Sequence, residues 1–314
     1  MQGLEIVRAF YEEYGAPMLR EQFPELLPQL AVGLFGSGSE CFGYDDEVSR
    51  DHDFSPDFCV YLPEENVVDR KAAFQLERAL ARLPKEFRGL RRGGPAPVGG
   101  ARRGVLRVTE VFASLTGTPD GTLDTEGWLR VPEQSLAEAV NGEIFYDGPG
   151  TVTAIRAALR EMPEDVRRKK LAGSLLLMGQ AGQYNYPRCV LRGETGAAQL
   201  ACMAFAEHAM HAIFLLNRRY LPYYKWRFRA MRALPLLSEE ADSLEFLICT
   251  DNTPENAEEK RYAIEDTAAR VISALQQQEL TAAVCGELEK HAWSVNDHVS
   301  DAALRNRHVL YAVS

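Results

Sequence analysis

The sequence predicts an α+β protein, with an α/β domain built on a mixed sheet over residues 1–147 and an all-α helical bundle over residues 148–314. Three observations carry this expectation. Two short apolar runs, residues 31–35 and 58–62, have the length and flanking turn residues of buried strands. Residues 151–314 read as an almost unbroken series of helices, separated by Gly, Pro or polar breaks. Between these regions, Asp147-Gly148-Pro149-Gly150 clusters the residues that interrupt regular structure.

In chain order, residues 3–14 place Leu4, Val7, Phe10, Tyr11 and Tyr14 at helical spacing, and Gly15 stops the pattern. A second short helix is expected from Pro17 towards Phe23, broken at Pro24. After the first strand comes the turn Gly36-Ser37-Gly38-Ser39, then the acid-rich residues 40–47, then Asp51-His52-Asp53 and the second strand. Residues 66–83 form an amphipathic pattern that ends at Pro84. The Gly/Arg/Pro-rich residues 89–103 read as a loop, and Arg88, Arg91, Arg92, Arg102 and Arg103 as its exposed face. A strand carrying Glu110 is expected over residues 105–112. Beyond the boundary, helices are expected at 151–161, 163–182, 194–220, 224–234, 238–249, 254–278 and 279–291, with a short one at the end. Leu200, Met203, Phe205, Ile213, Leu215 and Leu216 read as core, and Arg167-Arg168-Lys169-Lys170 as a solvated helix face.

Composition narrows the function classes. Hydrophobic residues at 46% and charged residues at 25% are ordinary for a globular chain. No apolar run reaches the roughly 20 residues that cross a bilayer, and the first residues lack a continuous apolar core, so neither a span nor a signal peptide is expected. A cytoplasmic location is the expectation. The six cysteines show no Cys-x-x-Cys spacing, which argues against a zinc site and against a disulfide framework. A net charge of −10 makes long nucleic acid a poor partner, while a local basic patch could still hold a tRNA end. The oligomeric state is open, a homodimer included.

The chemistry concentrates at residues 36–53. In an extended strand Asp51 and Asp53 project to one face and His52 to the other. Two carboxylates that close repel unless a cation lies between them. A hard ion such as Mg²⁺ takes oxygen ligands and shares them with phosphates. Glycines let backbone N–H groups approach an anion, and Ser37 and Ser39 add hydroxyl donors beside Gly36. A dinucleotide fingerprint is excluded because position 41 is Cys, and the chain contains no Gly-x-x-x-x-Gly-Lys-Ser/Thr.

Phe35-Gly36-Ser37, thirteen intervening residues and then Asp51-His52-Asp53 resemble the nucleotidyltransferase superfamily typified by DNA polymerase β and kanamycin nucleotidyltransferase. His52 departs from the apolar residue usual between the two acids. The resemblance implies a Mg²⁺-dependent transfer of NMP, with AMP the first expectation, from ATP or another nucleoside triphosphate to an acceptor hydroxyl. A hydroxyl-bearing small molecule is the first acceptor expected. Nucleotidylation of a protein or a tRNA end, and an inactive nucleotide-binding sensor, are the alternatives. The superfamily takes a third carboxylate from a neighbouring strand, which makes Glu110 a candidate ligand or base.

Gly127-Trp128-Leu129, Gly142-Glu143-Ile144-Phe145-Tyr146-Asp147, Thr153-Ala154-Ile155-Arg156 and the Arg218-Arg219-Tyr220…Lys225-Trp226 block are similar to a bacterial family of unknown function. That family couples a nucleotidyltransferase module to a helical C-terminal domain. Lys225 is a candidate for gripping the triphosphate, with a plain surface lysine beside packed aromatics as the competing reading. Glu207 is an alternative base. His208 and His211 lie three apart on one helix, and helix histidines without metal are the expectation there.

Overall fold

The computed structural model describes residues 3–47, 55–93 and 103–313. The protein is α+β, with one small mixed sheet and many helices. It divides into two compact units, one of residues 1–127 and 131–161, the other of residues 128–130 and 162–314. The expected boundary at 147/148 falls one element earlier, because the helix Thr151–Arg160 packs with the first unit.

The first unit opens with α1 (Gly3–Phe10), a π-helical stretch (Tyr11–Gly15) and α2 (Ala16–Gln22), where two separate helices are expected from the sequence. Gly15 does not stop the helix; it remains helical within the π-turn. Next come β1 (Ala31–Leu34), the four-residue α3 (Ser39–Phe42), β2 (Cys59–Leu62) and α4 (Arg70–Arg82). Asp69 caps α4 by accepting from the Ala72 amide at 2.7 Å. A small hairpin, β3 (Glu86–Phe87) and β4 (Leu90–Arg91), precedes β5 (Gly104–Arg107). The unit is completed by α5 (Val108–Thr116), β6 (Glu143–Asp147), α8 (Thr151–Arg160) and, before β6, α6 (Thr125–Arg130) and α7 (Glu133–Val140). Of these, α6 contributes residues to both units.

The sheet order is β5-β2-β1-β6, with β2 parallel to β5 and antiparallel to β1, and β1 antiparallel to β6. β1 and β2 are the central strands, and every residue in them is buried, which is why they read as apolar runs without alternation. The expected strand over 105–112 is corrected, since it ends at Arg107 and the chain turns helical. Val108, Phe112 and Thr116 recur every four residues and are the buried positions of α5, a helical period that overrides the β-rich composition. The register of β1 against β6 shifts at Val32/Gly33. There the two backbones approach so closely that a Cβ on Gly33 would lie 2.4 Å from the Glu143 carbonyl oxygen.

The second unit is helical. It comprises α9 (Glu164–Met178) running into a π-helical stretch (Gly179–Asn185), α10 (Tyr186–Leu191), α11 (Thr195–Leu216), α12 (Arg227–Met231), α13 (Glu240–Cys249), α14 (Pro254–Gln277), α15 (Leu288–Asp297) and α16 (Ala302–Arg305). The expected helix 279–291 is corrected. Glu279 takes a positive φ of 55°, ending α14, and α15 begins only at Leu288. Among the described residues α11 alone is long and apolar enough to cross a membrane by length and composition. It packs as a core helix, with α9, α10, α13 and α14 around it. Leu200 and Met203 on α11 are exposed, and Phe205, Ile213, Leu215 and Leu216 are buried.

The basic run of α9 is not solvated. Arg167, Lys169 and Lys170 are buried, and Arg167 donates to the carbonyl of Leu215 in the last turn of α11 at 3.1 Å. Lys169 donates to Asn296 Oδ1 and to the Arg307 carbonyl, each at 2.7 Å. Helix-end carbonyls lack intrahelical partners and carry partial negative charge, and they help compensate these buried cations; Arg167 pairs in addition with Glu164 at 2.7 Å.

Gly33→Ala should destabilise the protein by about 1–3 kcal/mol or more, because rigid backbone stands where the methyl would go; urea denaturation measures this. Burial holds the half-buried His208 imidazole below its ordinary value of 6.5, with His211 adding to the effect and Glu207 opposing it. The unfolded chain therefore takes up the proton first, so this group's contribution is full above 6.5 and falls as the pH drops below it. The decline in Tm from about pH 7 to 5 should flatten in His208→Gln.

Candidate functional site

The Gly36–Ser39 turn stands at the C-terminal end of β1 and runs into α3, whose first residue is Ser39. Gly36 has φ 127°, a conformation closed to most side chains. Its backbone is clamped from a distant part of the chain. The Gly36 N–H donates to Asn141 Oδ1 at 2.9 Å, and Asn141 Nδ2 donates to the Gly36 carbonyl at 2.7 Å. The Gly142 amide also donates to the Cys41 carbonyl at 2.8 Å, tying α3 to the same junction. Ser37 is exposed and Ser39 half-buried.

Arg156 of α8 backs this clamp. It is 4% exposed, and it donates to the carbonyls of Ala139, at 3.1 Å, and of Asn141. Its guanidinium lies 4.9 Å from the Phe35 ring centroid, and Phe35 in turn stacks on Tyr61 at 5.0 Å and on Phe112 at 5.9 Å. Burial, with Arg160 adding to it, lowers the Arg156 pKa to about 10. The cation is thus held by carbonyls and ring faces rather than by a carboxylate.

A second network borders the other side of α3. Glu40 is buried and pairs with Arg103 at 2.5 Å. Arg103 also donates to the carbonyls of Ser55 and, at 3.0 Å, of Asp57. Asp57 accepts from the Ser55 hydroxyl and from Arg92, which donates in addition to the Leu80 carbonyl at the end of α4, 2.8 Å away. The expectation that Arg92 and Arg103 form an exposed loop face is therefore corrected. Their side chains are 17% and 16% exposed, because two buried carboxylates and helix-end carbonyls draw them inward.

Of the expected site residues, Gly36, Ser37 and Ser39 share one turn. Asp51 and Asp53 lie outside the described residues, and so does His52. The chain is pinned on both sides of them. Asp45 accepts from the Gly3 amide at 2.8 Å, and from Ser55 onward Arg103 holds the backbone. Asp45 Oδ1 is buried without a hydrogen-bond partner among the described residues. Glu110 is exposed in the first turn of α5. It sits two residues before Phe112, about 200° round the helix, and so projects away from the Phe35 side. Lys225 is exposed in the second unit, 4.9 Å from the Trp226 ring centroid. Glu207 is exposed and pairs with Arg227 at 3.1 Å. His211 hydrogen-bonds Ser174 at 2.8 Å. Among the described residues no group of three His, Cys, Asp or Glu side chains is placed to hold a metal ion.

Asn141, Arg156, Arg103 and Glu40 are the residues that sequence reasoning missed as parts of the site. Asn141 directly precedes Gly142, and Arg156 ends the Thr153-Ala154-Ile155-Arg156 run, so both lie in or beside motifs that the resemblance singles out. A family model described as "Domain of unknown function (DUF4037)" matches residues 128–227. That stretch holds Asn141, Arg156 and Lys225, and leaves Gly36, Asp51 and Asp53 outside. No curated protein and no solved structure matches this chain.

Asn141→Ala removes both bonds to Gly36 and should cost about 1–3 kcal/mol. Hydrogen exchange at the Gly36 amide should accelerate by more than that of the β2 amides, which would separate loosening of the turn from loss of the sheet.

Proposed function

We propose that this protein is a Mg²⁺-dependent nucleotidyltransferase, that its first unit is the nucleotidyltransferase domain, and that the helical unit serves as its partner domain. The observation that carries this reading is the Gly36–Ser39 turn, held rigid by the Asn141 clamp at the end of a central strand. The acid-bearing segment lies in the connection between that strand and its antiparallel neighbour. A turn fixed before substrate arrives can present N–H and hydroxyl donors to phosphate oxygens without reorganising. Gly36, Ser37 and Ser39 are assigned to the β- and γ-phosphates.

Asp51 and Asp53 are assigned as the metal ligands. Their all-oxygen donor set suits Mg²⁺. Among the flanking acids, Asp57 is already neutralised by Arg92, while Asp45 leaves one buried oxygen unsatisfied. When bound, Mg²⁺ would neutralise phosphate charge and orient the reacting oxygens. In the reaction, the acceptor hydroxyl attacks the α-phosphorus in line. The bond to the bridging oxygen of the β-phosphate breaks, pyrophosphate leaves and the acceptor's proton passes to solvent or a base. Glu110 is exposed in the first turn of α5, and Glu207 is paired to Arg227.

Calorimetry with ATP and Mg²⁺, paired with a pyrophosphate-release assay, tests the reading. Asp51→Asn and Asp53→Asn should each lower release by at least about 100-fold while leaving Tm unchanged. Near-normal release in either variant would sink the assignment, and binding without release by the wild type would make the chain a nucleotide sensor.

A further inference from the structure

Residues 218–235 form an excursion from the helical unit with an unusual composition. They hold six arginines and lysines, five aromatic residues and no acid, which leaves the rest of the chain at −16. The excursion is closed at its base by a second asparagine clamp. Asn217 Nδ2 donates to the Leu236 carbonyl and Asn217 Oδ1 accepts from the Leu236 amide, both at 3.0 Å. Beside the clamp, Arg218 and Leu237 take φ of 53° and 61°, values rare for side chains of their size. A loop held this firmly presents its side chains in a fixed arrangement.

Its two faces differ. Leu221, Ala230, Met231 and Leu234 are buried and root the excursion in the bundle. Arg219, Tyr223, Tyr224, Lys225 and Arg229 are exposed. The Tyr223 and Tyr224 rings lie 4.3 Å apart and are 39% and 68% exposed. Lys225 covers the Trp226 ring. Some of the cations are committed, Arg227 to Glu207 and Arg232 to Asp242 and Glu245. Among the described residues Arg219 and Lys225 meet no carboxylate. At the root, Arg218, Arg167 and Arg168 converge on the single carboxylate of Glu164 in a cleft. Counting Asp165, 3.8 Å from Arg168, that cleft still keeps one positive charge in excess.

Exposed rings interleaved with uncommitted cations suit a ligand that alternates flat apolar faces with negative charges. We propose that this excursion binds single-stranded RNA, bases stacking on Tyr223 and Tyr224 and phosphates meeting Arg219 and Lys225. A duplex keeps its base faces covered, whereas unstacked RNA ends expose them along with free hydroxyls. Lys225, expected to grip the triphosphate, is thereby assigned to the RNA backbone. As the identity of the acceptor the inference rests on the transfer reading, but as a binding surface it does not.

Fluorescence anisotropy of the full chain with a labelled single-stranded RNA of about 12 nucleotides tests it. EDTA is present and nucleoside triphosphate absent, so that catalysis plays no part. Wild type should bind, and Tyr223→Ala with Tyr224→Ala should weaken binding by about 10- to 100-fold. Arg219→Gln with Lys225→Gln should flatten the salt dependence of log K by about 1.4. These side chains are exposed, so both double variants should keep the wild-type Tm. No RNA binding, or binding unchanged in both double variants, would overturn the proposal. Equally tight binding of duplex RNA, or of single-stranded DNA of the same sequence, would do the same, as would displacement by polyglutamate at equal charge. Asp51→Asn should bind RNA normally. RNA binding without pyrophosphate release would remove the transfer reading alone, and transfer to another acceptor without RNA binding would remove this inference alone.

Discussion

The first unit depends on one exchange of hydrogen bonds, between the Asn141 side chain and both backbone groups of Gly36. A backbone at φ 127° has no regular secondary structure to satisfy it. The amide of Asn141 supplies donor and acceptor together from one planar group. Asn141 is itself held, since its carbonyl accepts from Arg156, whose guanidinium packs on Phe35, the residue just before Gly36. The loop of constraints is closed, running from turn to amide to arginine to ring and back to the turn. Pre-organisation of this kind is what a phosphate-holding turn requires, because donors that must rearrange lose part of their electrostatic effect.

The same device recurs in the second unit, where Asn217 reads both backbone groups of Leu236 and closes the base of the 218–235 excursion. One clamp fixes a turn that offers N–H and hydroxyl groups, and the other fixes a segment that offers cations and rings. Several other cations of this acidic chain are structural. Arg156, Lys169 and Lys260 are buried and donate to main-chain carbonyls and side-chain amides. Burial costs a charged group less when carbonyl dipoles surround it. Arg219 and Lys225 are instead exposed, on a segment that also exposes Tyr223 and Tyr224.

Much of the fold was legible from local sequence. Residues 31–34 and 59–62 were readable as strands because both faces are buried and no alternation was needed. Residues 108–112 read as strand because Val, Thr and Phe are good strand formers, whereas in the fold they are helical and Phe112 packs against Phe35. The Gly36–Ser39 turn was legible from its residue types. Asn141, 105 positions away, was not, since an asparagine before a glycine is the commonest of loop signals.

What the sequence by itself determined, then, is local: two buried strands, the turn between them and the helical second half. Tertiary structure alone decided where the charges went. Arg92, Arg103, Arg167 and Lys169 all read as solvated, and each is turned inward by a partner remote in the chain. The reason is physical. A long cationic side chain is exposed by default, and only carboxylates or helix-end carbonyls assembled by the fold can repay its desolvation.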